Sequence, residues 1–149
     1  MTKMRMSLRV THPSMNSAFI ANQLALKPKT SWTAGEQRLS PRGTPLGIAE
    51  ASYCNFELKV AGDVGLAEAL ATHVERIAKH ATFLSELVAT GGRVEFYVGW
   101  FIEKHAGELL DDELLRHLAD LRINLAIEVY GPDAKAFEPV VLDFNKKSS

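Results

Sequence analysis

Hydrophobic and polar residues alternate in four stretches of the chain, and this period of two predicts strands with one buried face. The stretches are residues 6–12, 53–60, 93–102 and 125–129. The second is the clearest, because four apolar residues share one of its sides: Cys54, Phe56, Leu58 and Val60. A fifth strand candidate, Ser31-Trp32-Thr33, lies in a segment rich in glycine and proline, and we interpret the rest of residues 29–50 as an ordered loop.

Apolar residues spaced by three and four predict helices between these strands. A short helix begins after Pro13, where Ser14 or Asn16 can cap it, and stops before Pro28. The principal helix runs from Leu66 to Val88 with a break expected near residues 80–82, and Gly91 is a candidate left-handed cap. A third helix follows two acids that suit a helix N-terminus, and four leucines are predicted to face inward: Leu114, Leu115, Leu118 and Leu121.

The order of these elements predicts an α+β fold, with helices on one face of a mainly antiparallel sheet. Its first six elements, β-α-β-β-α-β, match the split βαβ core of ferredoxin-like folds, and a further helix and strand extend that core. Residues 1–149 are predicted to form a single domain with a short polar tail from about residue 145. Residues 138–144, with Val140-Val141-Leu142, are either an edge strand or an interface segment.

Composition supports a folded chain, with 46% hydrophobic and 23% charged residues. Seventeen Lys and Arg against 18 Asp and Glu give a net charge of −1, and the chain has no basic block, so nucleic-acid binding is disfavoured. No apolar run has the length of a membrane-spanning helix, and the N-terminus lacks the pattern of a signal peptide. A single cysteine makes no internal disulfide, so we expect a cytoplasmic protein.

The sequence contains no motif typical of a cofactor-binding site, a metal site or a catalytic nucleophile. It has no Walker or G-x-G-x-x-G loop, no H-E-x-x-H and no G-x-S-x-G, so we predict no cofactor and no metal. His73 and His80 are seven residues apart on the long helix, which separates them by about 10 Å and prevents them from sharing a metal. Cys54 lies at an inward position, where a thiol is usually inert.

The loop after the predicted strand 93–102 carries the best catalytic candidates. His105 could act as acid or base with Glu103 or Glu108 as its partner, and Trp32 could form a wall. Loops between strands and helices are commonly polar, and helix N-termini favour acids, so a structural role for these residues carries more weight.

The polar side of the predicted sheet is a candidate recognition surface, because tyrosine and arginine are enriched in interfaces. It includes Tyr53, Glu57, Glu95 and Glu128. The residues we assign to binding are Arg9, Lys59, Arg93, Tyr97 and Tyr130, with Trp32 near one end. A solvated antiparallel face has the same composition, so both interpretations stay open.

Five segments carry a resemblance to a known family: Leu8-Arg9-Val10, Leu24-Ala25-Leu26-Lys27-Pro28, the helix through Leu87-Val88, Val94–Ile102, and Leu118–Ile123 leading to Ile127-Glu128-Val129-Tyr130. Over roughly residues 6–131 the chain resembles the bacterial domain-of-unknown-function family 4279. Members typically carry a tryptophan in the third strand, where this chain has Tyr53-Cys54-Asn55-Phe56. The resemblance implies no catalytic residues.

These observations favour a non-enzymatic binding or protein-interaction module, of an immunity-like or regulatory kind. One alternative is a small-ligand binder or enzyme that uses the His105 loop. Another is a homodimer joined through the polar sheet face or through residues 140–142.

Overall fold

A computed structural model describes residues 3–132. Within this range the chain forms seven strands and four α-helices, with a 3₁₀ turn at Ala78–His80. The elements follow the chain in this order: β1 Lys3–His12, α1 Ser17–Leu24, β2 Thr30–Trp32, β3 Gln37–Leu39, β4 Pro45–Ile48, β5 Ser52–Leu58, α2 Leu66–Ile77, α3 Ala81–Ala89, β6 Arg93–Phe101, α4 Asp112–Asp120 and β7 Ile123–Tyr130.

Five strands form the main sheet in the order β2-β5-β1-β6-β7. All neighbours are antiparallel except β6 and β7, which α4 connects in parallel. The fold is therefore α+β with a mainly antiparallel sheet, as predicted. The fifth strand and the separate β3–β4 sheet distinguish this strand order and number from a four-stranded ferredoxin-like sheet.

The alternating strands bury one set of side chains beneath all four helices, which confirms that the helices cover a single sheet face. Leu8, Phe56 and Phe96 are fully buried at the centre of this core. Each helix contributes a row of buried apolar side chains to this core, such as Ile20 and Leu24 from α1. Leu115 of α4 and Val129 of the edge strand β7, both predicted to face the core, are exposed.

The segment 37–48, predicted as loop, forms the β3–β4 hairpin. Its strands have three and four residues, too short for a period of two to be detected in the sequence. A turn between Ser40 and Thr44 closes it, with the Ser40 N–H donating to the Thr44 carbonyl at 2.8 Å. The predicted second strand is confirmed in the same region, as β2.

The long helix is broken as predicted, since the 3₁₀ turn separates α2 from α3. At its end Gly91 has φ +102°, which confirms the left-handed cap. The Gly92 N–H donates to the Leu87 carbonyl at 2.8 Å, and the Gly91 N–H donates to the Val88 carbonyl at 3.1 Å. These are the two hydrogen bonds of a Schellman motif, which satisfies the last carbonyls of α3.

Side chains cap the N-termini of two other helices. The Asn16 Oδ1 accepts from the Ala18 and Phe19 N–H groups at 2.8 and 3.2 Å, which makes Asn16 the N-cap of α1. Asp111 caps α4 in the same way, by accepting from the Leu114 N–H at 2.9 Å. No helix within residues 3–132 is long and apolar enough to cross a membrane.

Candidate functional site

The sheet face opposite the helices, here called the open face, collects the polar side of every strand in the main sheet. Cross-strand register brings residues far apart in sequence into contact: Arg9 pairs with Asn55 on β5 and with Glu95 on β6. The side chains on this face include Trp32, Tyr53, Asn55, Glu57, Arg5, Arg9, Arg93, Glu95, Tyr97, Phe101, Glu128 and Tyr130.

Arg9 lies at the centre of the open face in a fixed position. Its guanidinium is 3.8 Å from the centroid of the Tyr97 ring, and its Nη1 is 3.7 Å from the Glu95 Oε1. The side chains of Arg9 and Glu95 are 23% and 20% exposed, so water screens this ion pair only in part. A cation–π contact at a partly desolvated site contributes about 0.5–2 kcal/mol. The arginine is therefore held on an aromatic platform.

Tyr97 is buried, with 3% exposure, although it belongs to the open face. Its hydroxyl is 3.5 Å from that of Tyr130, whose hydroxyl donates to the Glu128 carboxylate. Burial and these hydrogen bonds raise the pKa of Tyr97, so its phenol stays protonated. The Phe101 and Tyr130 rings stack with centroids 4.8 Å apart. A connected polar and aromatic group therefore extends from β1 to β7.

Burial also raises the pKa of two neighbours of Arg9. It raises the pKa of the Glu95 carboxyl, while the positive charges of Arg9 and Arg93 act in the opposite direction. It raises the pKa of Tyr53 as well, against the effect of Arg9. These groups lie close enough to Arg9 for its charge to act on both. The surroundings of Arg9 are thus less hydrated than those of an ordinary surface arginine.

Two buried polar atoms at the centre of the open face have no hydrogen-bond partner within residues 3–132: the Arg9 Nε and the Asn55 Oδ1. The two residues face each other in register across β1 and β5. An unsatisfied buried group costs about 1–3 kcal/mol, and natural proteins keep few of them. These two groups on the open face therefore lower the stability of the fold instead of contributing to it.

The hairpin makes one end of the open face concave. Trp32 packs on Tyr53 with ring centroids 4.8 Å apart, and the Arg38 guanidinium of the hairpin lies 5.4 Å from the Trp32 ring. Between hairpin and sheet is a pocket of about 320 Å³, whose walls include Thr11 and Ile48. The hairpin also exposes three large apolar side chains, Leu39, Leu46 and Ile48. Neither the β3–β4 hairpin nor a role for Arg38 was predicted from the sequence.

The structure brings together five of the six residues assigned to binding: Trp32, Arg9, Arg93, Tyr97 and Tyr130 lie on the open face. Lys59 is exposed one residue beyond the end of β5, and its carbonyl accepts a hydrogen bond from the His73 Nε2 at 2.8 Å. His73 is buried, so this bond ties α2 to the end of the sheet. Residues 138–144 lie outside the described residues.

The catalytic candidates lie in the loop between β6 and α4. Glu103 and His105 are exposed, whereas the Glu108 carboxylate accepts the Ala67 N–H at 2.9 Å, at the start of α2. No hydrogen bond or ion pair within residues 3–132 joins His105 to either glutamate. In the same part of the chain, no group of three or more His, Cys, Asp or Glu side chains is arranged to hold a metal ion.

Cys54 is expected to react slowly with thiol reagents in the folded protein. Its side chain is fully buried, its Sγ is 3.5 Å from the Ser17 carbonyl, and burial raises its pKa to about 11. Two pKa units reduce the thiolate fraction near pH 8 about a hundredfold, partly offset by higher nucleophilicity, so labelling should be at least about tenfold slower than in urea. Absorbance with Ellman's reagent measures this, and equal rates in both conditions would contradict it.

Comparisons with known proteins give one finding. No curated protein and no solved structure matches the chain. The model of a protein family described as domain of unknown function (DUF4279) matches residues 2–132. This match spans most of the 149 residues, and the chain therefore belongs to the DUF4279 family.

Proposed function

We propose that this chain is a non-enzymatic protein-binding module of a regulatory kind, and that its partner docks on the open face. The observation that carries the proposal is the arrangement of Arg9, stacked on Tyr97 and paired with Glu95 beside unsatisfied buried polar atoms. A preorganised arginine on an aromatic platform is typical of residues that contribute most to protein interfaces, because little side-chain freedom is lost on binding.

The size of the open face suits a protein partner. The five strands have three to ten residues each, and at about 3.3 Å per residue and about 4.8 Å between strands they cover about 600 Å². This area is about three quarters of the roughly 800 Å² that each partner contributes to a standard interface. The hairpin adds apolar surface at one edge through Leu39 and Ile48.

The residue types on the open face also favour a protein partner. Tryptophan, tyrosine and arginine are the types most enriched among interface residues with large energetic effects. They occur here in one connected row from the hairpin to β6, namely Arg38, Trp32, Tyr53, Arg9 and Tyr97. A catalytic site would require a nucleophile or a base with a positioned partner, and the row offers neither.

Affinity capture with variant baits tests the proposal. Wild-type protein, Arg9→Lys and Trp32→Ala are immobilised and exposed to lysate of the source organism, and bound proteins are quantified by mass spectrometry. We expect a partner whose affinity for both variants falls about tenfold or more, since Arg9→Lys keeps the charge but loses the planar stacking. Titration of the purified partner gives the fold-change.

Leu115→Ala is the matched control, because Leu115 is 47% exposed, lies on α4 on the helix side of the molecule, and does not line the pocket between α2 and α4. Capture that is equal for all four baits would overturn a role for the open face. A thermal-shift screen against nucleotides and metabolites covers the small-ligand alternative, in which a saturating ligand at a hundred times its Kd stabilises by about 2.7 kcal/mol. Self-association lost in Trp32→Ala would instead indicate a homodimer.

For the architecture, we propose a ferredoxin-like split βαβ core, to which α4 and β7 are additions. Two relationships support it. The β1-α1-β2 connection leaves room for β5 between its strands, and the connection from β5 through α2 and α3 to β6 leaves room for β1. In both cases the inserted strand is antiparallel to its neighbours. The β3–β4 hairpin is then an insertion before the third core strand.

A further inference from the structure

We propose a second binding site on the opposite side of the molecule, in a groove between α2 and α4 that accepts an amphipathic helix with basic flanks from a partner protein. The groove encloses about 590 Å³. Its floor is formed by the buried side chains of Val74, Leu114 and Leu121. A volume in this range accommodates several apolar side chains and lies within the usual size of binding clefts.

The wall of the groove formed by α2 is shallow, because most of the α2 residues that line it are alanines. Ala67, Ala71 and Ala78 are four and seven residues apart, so they lie along one side of the helix. Short side chains on one wall let the backbone of a third helix approach closely. At the mouth, Leu109 is 81% exposed, which is unusual for a leucine beside an apolar floor.

Four acidic side chains line the groove, Glu75 on α2 and Asp111, Glu113 and Asp120 at or on α4, together with His117 and with no lysine or arginine from residues 3–132. Asp111 is engaged as the N-cap. Glu75, Glu113 and Asp120 are exposed and have no ion-pair partner within residues 3–132. An apolar floor between carboxylates of one sign is complementary to a ligand that is apolar along its centre and positive at its margins.

The spacing of the acids favours a helix over a compact organic cation. Glu113 and Asp120 are seven residues apart, which places them on one side of α4 and about 10 Å apart along its axis. Two basic residues seven positions apart on a docked helix have the same separation, while the apolar residues between them reach the floor. A small cation carries its charge at one point and cannot pair with both carboxylates.

Fluorescence polarisation with a labelled 14-residue probe tests this site. The probe is a helical peptide with leucines at i, i+3, i+4 and i+7 and lysines on both flanks, and its control has the same composition in an order that gives no apolar face. We expect the patterned probe to bind at least tenfold more tightly than the control. Binding should weaken as salt rises from about 50 to 500 mM, because the rim charges are exposed.

Two groove variants and one matched variant locate the binding. Ala71→Trp places a large ring in the groove at an exposed position, and Glu113→Lys with Asp120→Lys reverses the rim. Each should weaken binding of the patterned probe at least tenfold. The control, Glu68→Lys with Glu86→Lys, changes net charge equally at exposed positions outside the groove, and should change affinity less than twofold. Circular dichroism melting confirms that each variant is folded.

Three results would overturn the proposal. The first is equal affinity of both peptides, which would mean that the lysines are attracted to surface carboxylates without recognition of the apolar groove. The second is unchanged binding in both groove variants. The third is a concentration-dependent dimer, measured by sedimentation, that Ala71→Trp abolishes, since a second copy of the chain would then occupy the groove. None of these outcomes bears on capture through the open face, so the two sites are tested separately.

Discussion

Replacing Phe96 with alanine is expected to lower the free energy of unfolding by about 3–5 kcal/mol, the usual range for a buried phenylalanine. Phe96 lies in β6 between β1 and β7, pairs in register with Leu8 and Leu125, and has no exposed surface. β6 is hydrogen-bonded to β1 on one side and to β7 on the other, which holds its backbone in place, so the cavity stays open. Urea denaturation followed by circular dichroism measures the change.

Phe19→Ala is the matched control, because it removes the same side chain from a position that is 48% exposed. Its ring meets Phe83 edge-on at 6.0 Å, so a loss of about 1 kcal/mol is expected. Similar losses for both variants would show that Phe96 is not at the centre of the core. Because the two differ mainly in burial, the difference between them measures the contribution of the sheet–helix interface.

Phe96 also shows why the faces of the long strands could be predicted from the sequence. Apolar and polar residues alternate through β5 around Phe56 and through the first half of β6 around Phe96, which determines the buried side without knowledge of the neighbours. The helices could be predicted for a similar reason. The stripe from Leu66 to Ile77 follows from the helical period, whichever strand it covers.

Where the prediction from sequence was wrong, the burial of the residue depends on which elements pack around it, and not on local periodicity. Leu115 is adjacent to Leu114 on α4 and lies about 100° around the helix, so only one of the two faces the sheet. Val129 alternates correctly but belongs to an edge strand, where the helix layer no longer covers it. The β3–β4 hairpin has too few residues for any period to appear.

The candidate site could be predicted in composition but not in geometry. Alternation places Arg9 and Tyr97 on the same side of the sheet, yet they are 88 positions apart in the chain. Their stacking depends on β1 and β6 being neighbours, which is a property of strand order. The contact of Arg38 with Trp32 depends in the same way on where the hairpin folds, so local sequence contains no signal for it.

Gly92→Ala is expected to destabilise the protein by about 3 kcal/mol, at the upper end of the range for an overpacked core. A Cβ at residue 92 would lie 2.3 Å from the Leu87 Cδ2 and 2.7 Å from the Leu87 carbonyl oxygen. That oxygen accepts the Gly92 N–H in the Schellman motif, and the Leu87 side chain is fully buried. Neither group can move without loss of the helix cap or of core packing.

Gly107→Ala is the matched control, because a Cβ there meets no atom within 4 Å. Without strain, the alanine reduces the freedom of the unfolded chain, so stability should stay unchanged or rise by up to about 1 kcal/mol. Thermal denaturation of both variants separates these outcomes. If Gly92→Ala were as stable as wild type, Leu87 would not approach residue 92 as closely as described. The sequence pattern identified Gly91 through its backbone conformation, whereas the requirement at Gly92 is steric and arises only once the cap has formed.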